Sequence, residues 1–80
     1  MNPADPRKFR TFDVRSLIGR GEEPRQKILE TVAALGAEEG LLLVTPFLPS
    51  PLIERLRTAG FQTRPERMAD GTWRTYFWRD

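Results

Sequence analysis

The apolar positions fall into short segments separated by glycine and proline. From Phe9 to Val14 apolar and polar residues alternate loosely, with Phe12 and Val14 on one side, the pattern of a short first strand. Arg15 to Gly21 holds two glycines and reads as a loop. Ile28, Leu29, Val32 and Leu35 then recur at helical spacing. Pro24 stands where a first helical turn tolerates it, and Glu22 and Glu23 put negative charge at the positive end of the helix dipole. Gly36 offers the left-handed residue that commonly ends a helix. This spacing predicts a first helix over 23–35.

Leu41-Leu42-Leu43-Val44-Thr45 is a continuous apolar run bounded by turn signals, the mark of a central buried strand. Pro46 to Pro49 forms a rigid loop. Ser50 can cap the next helix, with Pro51 in its first position and Leu52, Ile53, Leu56 and Ala59 as its buried face. Gly60 ends that helix, and Phe61 is placed to pack back on Leu56. Phe61 to Met68 and Thr72 to Arg79 pair as a hairpin around Ala69-Asp70-Gly71. A three-residue loop with Gly71 left-handed puts Phe61 and Thr63 on the face of Trp73, Thr75 and Phe77. A two-residue Asp-Gly loop would move Phe61 to the face of Arg74, Tyr76 and Trp78. The first register gathers the hydrophobic residues and is the expected one. Pro65 cannot donate to a ladder, so the third strand belongs at a sheet edge.

The order is therefore β-α-β-α-β-β. Right-handed crossovers place both helices on one side. The expected fold is an α/β two-layer sandwich: a mixed four-stranded sheet in order 1-2-4-3, two helices on one face, the other face open. Residues 1–8, with two prolines, are expected to form a flexible tail, and residues 9–80 a single domain.

Composition narrows the chemistry. Among 80 residues there is no cysteine and no histidine. Thiolate and persulfide chemistry by the chain's own side chains is excluded, and so are the commonest metal ligand and the commonest general base near neutral pH. No apolar run approaches the roughly 20 residues of a membrane span, and Met1 to Arg10 lacks a signal peptide's apolar middle. A cytoplasmic protein without a membrane partner is expected. Thirteen basic residues against eleven acidic give a net charge of +2. The signs interleave, with Arg7, Lys8 and Arg10 as the one tight basic cluster, so no basic stripe of the kind that tracks nucleic acid stands out.

No motif supplies a catalytic group. Gly19-Arg20-Gly21-Glu22-Glu23-Pro24 follows a strand and opens a helix, as a dinucleotide fingerprint would. Its third glycine is a proline, however, and two glutamates occupy the place of a pyrophosphate. Glu22/Glu23 and Glu38/Glu39 are sequence neighbours whose side chains diverge, and Ser16 and Ser50 have no histidine to activate them. No catalytic residue, metal set or cofactor is expected.

Two surfaces are candidates for recognition. The first lies beyond the carboxyl ends of the parallel strands, where α/β folds place ligands, and gathers Arg15, Arg20, Arg25, Thr45 and Phe47. Phe47 and Leu48, in a proline-bounded loop tip, are suited to touch a partner. The second is the face of the last strand bearing Arg74, Tyr76 and Trp78. It reads as a protein or homodimer interface, a stacking platform for RNA or single-stranded DNA, or a partly covered strand rich in β-favouring aromatics.

Asp13-Val14-Arg15, Gly21-Glu22-Glu23-Pro24-Arg25, Leu42-Leu43-Val44 with Pro49-Ser50-Pro51-Leu52, and Asp70-Gly71-Thr72-Trp73-Arg74 resemble the TusA/SirA-like superfamily. More closely, they resemble its bacterial branch of unknown function, over about residues 12–79. The resemblance implies the same sandwich with strand order 1-2-4-3. Its sulfur carriers hand on a persulfide from a cysteine in a Cys-Pro-x-Pro motif at the start of the first helix. Aligned on Pro24, that cysteine falls on Gly21 and the first proline on Glu22. Members of the unknown-function branch often carry a histidine after the second strand, where this chain has Phe47, so no metal or heme role transfers. The implied function is a non-enzymatic accessory module that docks a protein partner. RNA or single-stranded DNA binding through the open sheet face is the alternative.

Overall fold

The computed structural model describes residues 8–79. Along the chain run β1 (Lys8–Asp13), α1 (Arg15–Gly19), α2 (Arg25–Ala33), β2 (Glu39–Thr45), α3 (Ser50–Thr58), β3 (Gln62–Arg67) and β4 (Trp73–Trp78). The sheet order is β1-β2-β4-β3, with β1 parallel to β2 and β4 antiparallel to both β2 and β3. This is the expected α/β topology. Of the expected tail 1–8, residues 1–7 lie outside the described residues, while Lys8 opens β1 opposite Glu39.

Alternation along the central strands builds the core. Leu41, Leu43 and Phe77 are fully buried on one face of the sheet, clustered with Val14, Ile28, Ile53, Leu56 and Phe61. Ile28 belongs to α2 and Ile53 and Leu56 to α3, so both helices cover that face. Each such side chain contributes about 1.5–3 kcal/mol by leaving water.

The hairpin adopts the three-residue loop. Thr63 pairs with Phe77 and Pro65 with Thr75. Gly71 has φ +88°, its N–H donates to the Met68 carbonyl at 3.0 Å, and the Met68 N–H donates to the Thr72 carbonyl at 2.7 Å. Pro65 sits in the edge strand β3, where its missing N–H breaks no internal ladder. At the end of α3, Gly60 turns with φ +97°, and the Phe61 N–H reaches back to the Leu56 carbonyl at 2.9 Å.

Five local expectations are corrected. The segment after β1 is a short helix, not a loop: the Asp13 carboxylate accepts the Arg15 N–H at 3.0 Å, and Leu17 and Ile18 pack on the core. The next helix starts at Arg25 rather than residue 23, because the Glu23 carboxylate stays outside it and accepts the Arg25 N–H at 3.0 Å. That helix ends at Ala33, with the Ala34 N–H on the Glu30 carbonyl. Gly36 is not its left-handed cap: its N–H donates to the Glu39 carboxylate at 2.7 Å, and the glycines of positive φ are Gly21, Gly60 and Gly71. Ser50 is the first residue of α3 and not its cap. Pro49 precedes it, and no side chain caps the helix.

Candidate functional site

The parallel pair β1–β2 ends at one edge of the molecule, and two helices begin there. Val14 extends the pairing one residue past β1, its N–H donating to the Val44 carbonyl at 3.0 Å. Thr45 closes β2, and its hydroxyl donates to the Phe47 carbonyl. That bond fixes the following loop and turns Phe47 outward, 52% exposed, with Leu48 beside it at 40%. Pro24 then leads into α2 and Pro49 into α3.

Between these two helix starts lies a groove of about 530 Å³. Beneath it lie the buried core side chains Val14, Ile28 and Leu43. Ile18 and Leu52 form apolar walls, and Pro24, Pro49 and Pro51 stiffen them. Charged groups stand among the lining residues: Glu22, Glu23, Arg25 and Arg55. Pockets of this size with apolar linings and a few polar groups are the usual form of binding sites.

Electrostatics divides these charges. Arg20 donates to Glu22 at 2.8 Å, and this bond holds the Glu22 carboxyl below its ordinary range. Glu23 is engaged by the Arg25 amide. The guanidinium groups of Arg25 and Arg55 form no ion pair among the described residues.

Of the five residues expected at this end, Arg25, Thr45 and Phe47 line the groove. Arg15 and Arg20 do not. Arg15 donates to the Asp13 carboxylate at 2.7 and 3.0 Å and reaches the Thr72 hydroxyl at 3.4 Å, tying α1 to the hairpin turn. Arg20 turns to Glu22. Arg55 and Leu52 line the groove unanticipated. They lie one turn apart on α3, so reading that helix as a wheel, with Pro51 facing the strand ends, would have found both. Gly21 stands in the turn between α1 and α2, at φ +77°, with open space where a side chain would project.

The opposite sheet face departs from expectation. Phe9 meets Tyr76 edge-on at 5.1 Å and Trp78 at 6.4 Å between ring centroids. Trp78 is buried, 4% exposed, and Tyr76 is half-buried, which leaves Arg74 as the exposed member of that row. Of the readings of this face, the structure matches the partly covered strand and not an open row of Arg74, Tyr76 and Trp78, because β1 contributes a ring that packs against both aromatics. Among the described residues no cluster of three His, Cys, Asp or Glu could hold a metal, and no helix is long and apolar enough to cross a membrane.

Fold and groove together define a small α/β module with an apolar cleft between two helix starts. Residues 11–79 match the family model described as Uncharacterized conserved protein (DUF2249), and the chain belongs to that family. No curated protein and no solved structure matches it.

Proposed function

We propose that this protein is a non-enzymatic accessory module of the cytoplasm that docks a protein partner in the groove between α2 and α3. The observation that carries this reading is Phe47. A large aromatic whose backbone carbonyl is held by the Thr45 hydroxyl, half exposed to water at the mouth of an apolar cleft, is the arrangement of an interface anchor. The side chains around the cleft include no pair of groups suited to proton transfer. Glu22 is held ionised by Arg20, and Glu23 is occupied by a helix amide.

The strand order and the place of Gly21, four residues ahead of Arg25, support a TusA-like scaffold that lacks the sulfur carrier's thiol. A thiolate at a helix start is what such chemistry needs, and glycine has none. On this reading the module recognises the partners of a sulfur, redox or metalloprotein system without carrying the reactive atom. Binding of RNA or single-stranded DNA has less support, because the stacking platform it needs would have to include Trp78, which is buried.

The test is calorimetry. A partner recovered by affinity purification of the full chain is titrated into wild type, Arg25→Ala and Phe47→Ala. Affinity should fall at least tenfold for Phe47→Ala. Equal affinity for all three removes the groove from consideration.

A further inference from the structure

The charges around the groove say something about its occupant. Arg10, Arg15, Arg20 and Arg57 each stand against a carboxylate of this chain, at 3.6, 2.7, 2.8 and 3.3 Å respectively. Arg25 and Arg55, the two arginines that line the groove, have no such partner among the described residues, a state they share with Arg64, Arg67, Arg74 and Arg79 outside it. Of the two groove carboxylates, Glu22 is already neutralised by Arg20, and Glu23 has Oε1 on the Arg25 amide. Two guanidinium groups therefore face one carboxylate not already ion-paired, an excess of one positive charge beside the apolar walls of Ile18 and Leu52.

From this we infer that the groove receives an acidic segment of a partner protein, with apolar side chains against Ile18, Leu52 and Phe47 and at least one carboxylate on Arg25 or Arg55. The inference rests on the docking reading above and specifies its partner. A guanidinium offers two parallel N–H donors to a carboxylate, so the pairing orients the segment as well as attracting it. A basic segment meets repulsion at the same two positions, which gives the site discrimination. A polypeptide fits better than a small carboxylic acid. A small acid could fill the cleft but would leave Phe47 and Leu48 in water beside it, 52% and 40% exposed, whereas a peptide continuing past the cleft covers both.

A random displayed peptide library, selected on the folded full chain, tests this without knowledge of the partner. The selected pool should be enriched in Asp and Glu beside apolar anchors. A synthetic peptide from it should bind Arg25→Glu/Arg55→Glu at least tenfold more weakly than wild type. The same peptide with lysine in place of its acids should recover affinity for that double variant, which shows that the variant is folded. Peptides that depend on Phe47 but are neutral or basic, or that bind the double variant unchanged, overturn the acidic assignment and leave the docking site standing. A pool with no dependence on Phe47 overturns the docking reading itself. A Phe47-dependent dimer in solution identifies a second copy of this chain as occupant and overturns the inference of a separate acidic partner.

Discussion

The ring of Phe9 lies across Gly40, so close that a Cβ on that glycine would come within 2.6 Å of Phe9 Cε1. The same Cβ would meet the Phe77 carbonyl oxygen at 2.6 Å. Glycine here is required by close approach: it lets β1 lay an aromatic over β2 and reach Tyr76 and Trp78 on β4. Gly40→Ala should therefore destabilise the fold by about 1–3 kcal/mol, the usual cost of overpacking. Urea unfolding measures it. Phe9→Ala in the same chain should relieve part of the loss and no more, since the Phe77 carbonyl stays in place. Strict additivity of the two substitutions would contradict the contact.

Thr75 offers the opposite experiment. It is fully buried, and its hydroxyl has no hydrogen-bond partner among the described residues. A buried hydroxyl left without a partner costs about 1–3 kcal/mol. Thr75→Val keeps the branched shape that suits β4 and removes the oxygen. The variant should be more stable than wild type by about 1 kcal/mol in urea unfolding. A loss of stability would mean that the hydroxyl has a partner after all.

Acid should weaken the structure through three surface carboxylates. The Arg15 guanidinium lowers the Asp13 pKa from its ordinary value, the Arg20 guanidinium lowers that of Glu22, and the Thr72 amide lowers that of Asp70. A carboxyl whose pKa is depressed by folding contributes stability above its unfolded pKa and loses it as pH falls through the lower folded value. Stability should thus decline on acidification below the ordinary carboxylate range. Carboxyl NMR titration of Arg15→Met should move Asp13 up toward that range, with the residue-15 amide still holding it down in part, raise Asp70 by less, and leave Glu22 where it was. An unmoved Asp13 would show that the Arg15 contact does not govern it.

Most of the architecture was legible because the signals were local. The Leu41–Val44 run marks a central strand, Pro65 demands an edge, and of the two registers open to the hairpin the one that gathers the hydrophobic residues is the one in which Thr63 pairs with Phe77. What escaped were relations between distant or competing groups. Helical charge preference places Glu23 and Pro24 inside α2, whereas the Glu23 carboxylate works from outside it as an acceptor for the first amide. Position after β1 alone points Arg15 to the ligand surface. Its neighbour Asp13 captures it at 2.7 Å, a contact between residues two apart that strand ends alone do not reveal. The burial of Trp78 depends on Phe9 crossing Gly40, a three-strand relation that no single segment announces.

Phe47 should separate function from folding. A side chain more than half exposed in a loop adds little to the core, so Phe47→Ala should change unfolding stability by no more than about 0.5 kcal/mol. A much larger loss would make it a structural residue and remove the ground for calling it an anchor.

The groove between α2 and α3 is tested most directly by replacing Phe47 with a photo-crosslinking phenylalanine analogue in the full chain, illuminating living cells, and identifying the covalent adducts by mass. Docking at this cleft predicts one discrete partner captured from position 47 and not from the exposed, remote position of Arg64. Adducts equally diffuse from both positions would contradict it.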